Sequence, residues 1–111
     1  MSDVFYSVEG GNWEDLHNGQ RRKIMHMDKM TIMIVRAARG TVSDCEHAHA
    51  QEQAAVVVSG KIRMHVGGES KLLGAGDGYR VVPMLKHWIE ALEDSVLIDY
   101  FSPRREDLKP T

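Results

Sequence analysis

The chain has 111 residues, 42% hydrophobic and 27% charged, which suits one globular domain with one modest core and not a disordered tail or a fibre. Fourteen Lys and Arg against sixteen Asp and Glu give a net charge of −2, which disfavours a nucleic-acid binder working by counterion release. No apolar run could span a bilayer, Met1-Ser2-Asp3-Val4 lacks the start of a signal peptide, and the one cysteine, Cys45, cannot form an internal disulfide, so a reduced, cytoplasmic setting is expected.

Residues up to about Gln20 read as an irregular arm, with a turn at Gly10-Gly11-Asn12 and a short turn or edge segment at Trp13-Glu14-Asp15-Leu16. From Arg21 onward, short apolar runs are punctuated by glycine. Residues 21–27 and 30–38 read as strands split by Asp28-Lys29, and 46–49 as a short extended piece. Residues 53–59 carry the β-branched run Val56-Val57-Val58. Ser59-Gly60-Lys61 reads as a hairpin turn into 61–66, and Gly67-Gly68 as another into 69–73. A glycine-dense corner at 74–78 leads to strands 79–82 and 87–92, separated by Pro83. The last strand is 95–101. No helical period persists after Arg21, so the fold class expected is all-β, a sandwich or closed barrel. The whole of 1–111 reads as one domain: an arm over about 1–20, a barrel over about 21–101 and a charged tail over 102–111.

Six histidines stand out, three of them by spacing. His47 and His49 are two apart, so on an extended chain both imidazoles face one way. Gln53 shares their parity; Glu52 has the opposite parity and is the runner-up oxygen ligand. Later, Gly76-Asp77-Gly78, a short strand and Pro83 lead to His87, which a barrel can bring back across to the first pair. Three imidazoles and one side-chain oxygen suit a divalent transition metal (nickel, iron, manganese, cobalt or zinc) and leave coordination positions open for chemistry. His17 lies in a polar loop, and His26 and His65 are expected on outer strand faces, without function. Cys45 reads as buried packing.

These two stretches resemble the two motifs of the cupin superfamily. His47, His49, Gln53 and Gly60 match the first, with Gly40 one residue further upstream than usual. Gly76, Asp77, Pro83 and His87 match the second, with Met84 where glycine is usual. The resemblance implies a single-domain cupin double-stranded β-helix, a jelly-roll barrel, commonly a homodimer. Apolar residues expected on the outer strand face, Val96, Ile98 and Tyr100, agree with a dimer.

Near the end, Asp99 shares parity with Leu97 and Phe101 inside an apolar strand. An inward carboxylate is costly unless paired or functional. The segment from Asp99 to Asp107 resembles the end of the KdgF-type pectin-degradation cupins, as do the Trp13-Glu14 phrase and Gly19-Gln20-Arg21-Arg22-Lys23-Ile24. That resemblance implies metal ligation by His47, His49, Gln53 and His87, and catalytic roles for Asp99, Phe101 and Arg105. The implied reaction opens 4,5-unsaturated uronates from pectin or alginate breakdown to linear keto-uronates. In that chemistry Arg105 would hold a carboxylate bidentately, Asp99 would move a proton, and Phe101 would wall the sugar ring. The bland alternative has Asp99 pairing with Arg104 or Arg105 to hold the tail down, and Phe101 as packing. Ala48, Ala50 and Gln51 depart from the family's usual context around the histidine pair, as does Trp88 after His87. A different small-cupin lyase or dioxygenase, or a non-catalytic ligand-binding cupin, is the competing functional reading.

Overall fold

The structure is a computed structural model and describes residues 4–43 and 48–111. Among the described residues there are nine strands and no helix: β1 (Glu14–Asp15), β2 (Gln20–His26), β3 (Thr31–Ala37), β4 (Glu52–Ser59), β5 (Lys61–Val66), β6 (Glu69–Gly74), β7 (Gly78–Val81), β8 (His87–Ala91) and β9 (Ser95–Ser102). It follows that no described helix is long and apolar enough to cross a membrane. One sheet has the order β1-β2-β3-β9-β4-β7 and the other β6-β5-β8, all neighbours antiparallel. From β6 on, the chain crosses between the sheets at every connection: β6 to β7, β7 to β8, β8 to β9. That alternation winds the two sheets into a jelly roll.

The expected hairpin turn at Ser59-Gly60-Lys61 is instead a corner. β4 pairs with β7 and β9, and β5 with β6 and β8, so Gly60 carries the chain from one sheet to the other. Gly60 has φ +89°, and a Cβ there would lie 2.4 Å from the Asp94 carbonyl oxygen, so only glycine lets the corner pack this closely. The turn at Gly67-Gly68 does close a hairpin, with Val66 opposite Glu69.

Strand alternation sets the interior. Val57, Ile62, Met64, Leu73, Ile89 and Leu97 form the apolar cluster between the sheets. Burial of side chains this size contributes about 1.5–3 kcal/mol each. The arm and the tail are both fastened to β2. Lys23 donates to the carbonyls of Ser7 (2.7 Å) and Gly10, and its ammonium lies 4.7 Å from the Trp13 ring centre. The segment that holds Trp13 forms the edge strand β1. At the other end Leu108 is buried, Thr111 N donates to the Ile24 carbonyl (3.1 Å), and Ile24 N donates to Thr111 Oγ1 (3.0 Å).

His26 is not on an outer face, contrary to expectation. It sits opposite Thr31, which sits opposite the buried Phe101. A relay runs through it: Arg105 N donates to Thr31 Oγ1 (2.9 Å), Thr31 Oγ1 bonds His26 Nδ1 (2.8 Å), and His26 Nε2 bonds the Leu108 carbonyl (2.8 Å). His65 does lie on the outer face of the smaller sheet. It stacks on Trp88 at 3.6 Å and bonds Glu90 at 3.1 Å.

Candidate functional site

Two neighbouring rows of inward residues cross the larger sheet. One runs Thr31, Phe101, Gln53, Val81 and the next Met33, Asp99, Ala55, Tyr79. Directly opposed residues in an antiparallel sheet project to the same side, so Gln53, Phe101, Asp99 and Tyr79 meet inside. From the smaller sheet β8 adds His87, in the same inward series as Ile89 and Ala91. Gln53 is 7% exposed, whereas Glu52 faces outward, so of the two alternatives only Gln53 reaches the interior.

His49 lies just before β4, outside any strand. Its carbonyl accepts from Met84 N at 2.7 Å. Met84 holds φ +66°, which explains why a glycine suits this position. The His49 ring centre is 5.0 Å from that of His87 and 5.3 Å from that of Phe101. His47, Glu46 and Cys45 lie outside the described residues.

Hydrogen bonds assign the protons. His49 Nδ1 lies 2.9 Å from the Gln51 carbonyl and His87 Nδ1 lies 2.9 Å from the Leu85 carbonyl. A carbonyl only accepts, so both Nδ1 atoms carry hydrogen, and in the neutral imidazole each Nε2 then presents its lone pair. Gln53 Nε2 donates to Asp99 Oδ1 at 2.7 Å, which turns Gln53 Oε1 toward His49 Nε2 at 3.0 Å. In that tautomer two acceptors face each other, an arrangement that a proton or a metal cation shared between them relieves. The donor set (two imidazole nitrogens and an amide oxygen, all neutral) therefore fits a divalent metal. Among the described residues no group of three His, Cys, Asp or Glu forms a metal cluster.

Asp99 is 3% exposed and accepts on one oxygen, Oδ1, from both Gln53 and the Tyr79 hydroxyl (2.9 Å). Burial first, then the Asp99 charge and hydrogen bond, push the Tyr79 hydroxyl well above its ordinary pKa. Tyr79 thus stays a neutral donor. Arg105 does not pair with Asp99. It grips Asp107 with Nε (3.3 Å) and Nη2 (2.7 Å) and lies 4.9 Å over the Phe101 ring. That hydrogen bond is the main reason the Asp107 carboxyl titrates below its usual range. Arg104 takes Glu106 at 2.7 Å. The bidentate edge expected to receive a substrate carboxylate is thus occupied by the chain's own Asp107.

The structure brings together His49, Gln53, His87, Asp99 and Phe101, and sets Arg105 against Phe101 at the mouth. A cavity of about 70 Å³ lined by Gln53, His87, Asp99 and Tyr79 lies inside, and one of about 300 Å³ lined by His49 and Arg105 lies outside it. Tyr79 and His26 were not singled out as part of the site by sequence. Parity across the Ala55 row is the signal that finds Tyr79, and it needs the strand order first.

Residues 33–99, more than half the chain, match the cupin domain family. The chain is 36% identical over 97 residues to the pectin degradation protein KdgF of Dickeya dadantii, covering 86% of this chain and 88% of that one. It superposes on the structure of KdgF from a Halomonas species with a TM-score of 0.86 and 34% identity, covering 94% of this chain and 98% of that one. An RmlC-like cupin from Shewanella frigidimarina gives a TM-score of 0.87 and 32% identity over 96% of both chains. With motif spacing, jelly-roll winding and whole-chain similarity in agreement, the chain belongs to the cupin family and is a relative of the KdgF proteins.

Proposed function

We propose that this protein is a metal-dependent enzyme that opens 4,5-unsaturated uronates from pectin or alginate breakdown to linear keto-uronates. In this reading it works in the cytoplasm as a homodimer, with residues 1–111 as one cupin unit. The observation that carries the reading is the facing of His49 Nε2 and Gln53 Oε1, with Asp99 bonded to the same amide. His47, His49, Gln53 and His87 would hold the metal, which when bound would supply Lewis acidity toward a chelated hydroxyl oxygen of the sugar.

The chain's own residues supply the rest. Asp99 takes the proton of the anomeric hydroxyl as a carbonyl forms there. The bond from the anomeric carbon to the ring oxygen breaks, and Asp99 returns the proton to the departing enol oxygen. Transfer of that proton to the enol carbon gives the ketone. Tyr79 and Gln53 hold Oδ1 of Asp99 in place. Phe101 forms the flat wall beside the ring. Arg105 uses two of its five N–H donors on Asp107 and keeps the others for sugar oxygens.

The experiment is NMR of a sugar-acid panel with the metal-loaded protein. Loss of the vinyl signal of unsaturated galacturonate and growth of the keto product are expected. Oxygen consumption would point to a dioxygenase, and binding without product to a ligand-binding cupin; either outcome overturns the proposal. Elemental analysis identifies the metal. Sedimentation at micromolar concentration checks the dimer, which a purely monomeric result would refute.

A further inference from the structure

A second arginine faces the mouth cavity. Arg22 lies in the inward row Arg22, Val35, Leu97, Val57, so its side chain starts toward the barrel interior. It lines the cavity of about 300 Å³ together with His49, Arg105, Met33 and Val35. Its side chain is 24% exposed. Glu14 stands directly opposite it in the β1–β2 ladder and accepts from Arg22 Nε at 2.7 Å. Among the described residues that is the hydrogen bond the Arg22 side chain makes, and it uses one of five donors. The terminal nitrogens, the fork that matches a carboxylate, are left for a ligand. The contrast with Arg105 is direct: there the chain supplies its own carboxylate to two donors, and the ring of Phe101 covers one face.

Resting on the uronate reading, we infer that Arg22 is the specificity-determining residue that receives the carboxylate of the sugar-acid substrate. Glu14 holds the guanidinium by its stem-side nitrogen, so the edge strand β1 pre-organises the receptor. A substrate carboxylate at the fork brings the sugar ring over the mouth that His49 and Arg105 share.

The test compares Arg22→Gln and Glu14→Gln with the wild type, all metal-loaded. The probes are unsaturated galacturonate and its neutral methyl ester for kinetics, and saturated galacturonate and its methyl ester for calorimetric binding. Arg22→Gln is expected to raise KM for the acid by about 10- to 100-fold, the loss of a charge-assisted hydrogen bond. It should leave kcat within about threefold and the ester unaffected, and binding of saturated galacturonate should weaken by the same factor. Glu14→Gln, which breaks the ion pair but keeps the arginine, should preserve most of the acid-over-ester preference. Equal losses on acid and ester, or loss of the preference in Glu14→Gln as large as in Arg22→Gln, would make Arg22 a structural partner of β1 and overturn the inference. Binding separates the two proposals: a protein that turns over no uronate but prefers the acid through Arg22 fails the reaction and keeps the receptor. A wild type that binds acid and ester alike fails the receptor.

Discussion

The barrel interior has two halves built from the same strands. β9 carries Leu97 and, two residues on, Asp99; β8 carries His87 and, two residues on, Ile89; β4 carries Gln53 and, four on, Val57. All six side chains point inward, and all are buried. One half is the dry cluster around Val57, Ile62 and Leu97. The other is a hydrogen-bonded polar set in which each heteroatom contact narrows the choices of the next. Leu85 and Gln51 set the imidazole protons, and Tyr79 and Gln53 hold Asp99. For these six residues, position along the strand, not the choice of face, separates the apolar half from the polar one. Inward parity alone does not tell an apolar core residue from a polar site residue.

Substitutions that exchange the roles of the halves test this division. Asp99→Asn should lower uronate turnover by about 10²- to 10⁴-fold, the range for a lost proton-transfer group, with metal content retained. Its melting temperature should hold or rise, because a buried carboxylate is replaced by a neutral isostere. Wild-type turnover in this variant removes Asp99 from the mechanism. Leu97→Ala, two residues away, should do the reverse. A loss of about 2–5 kcal/mol in denaturant unfolding is expected, with activity per folded molecule preserved. Equal damage to activity would show that the halves are not separable.

Tyr79 sits on the boundary and makes the division pH-dependent. Its pKa is raised in the folded state, so its share of stability is complete below the ordinary tyrosine value of about 10 and is lost as pH rises through the raised value. Thermal melts should fall on the alkaline side, and Tyr79→Phe should flatten that decline; an unchanged slope refutes the assignment. The smallest effect is expected at Met84, whose side chain is exposed while its backbone holds φ +66°. Met84→Gly relieves the left-handed strain at a residue whose N–H supports the His49 carbonyl, and should stabilise by about 0.5–1 kcal/mol. A lower melting temperature would mean that the methionine side chain contributes packing.

Much of the fold was legible because strand alternation and glycine punctuation are local. The apolar runs at 30–38, 61–66 and 95–101 fall on β3, β5 and β9 with small shifts at the ends. The inward parity of Leu97, Asp99 and Phe101 was readable from spacing alone, and so was the contrast between Gln53 and Glu52. The corner at Gly60 was not, because a glycine turn between two strands looks the same whether the strands pair or part. His26 was misassigned because the tail that makes it a relay lies 82 residues away.

The amino-acid sequence by itself determined most of the strands, the inward series on β9, and the residue types able to hold a metal and move a proton. Only the tertiary structure decided which of them meet. Tyr79 finds Asp99 across 20 residues and Gln53 finds it across 46, because β7, β4 and β9 are neighbours in one sheet. Asp107 takes the edge of Arg105 that was expected to be free, and Glu14 leaves the fork of Arg22 open. Hydrogen bonds and ion pairs depend on distances of a few ångströms between residues remote in the chain, and local periodicity carries no information about them.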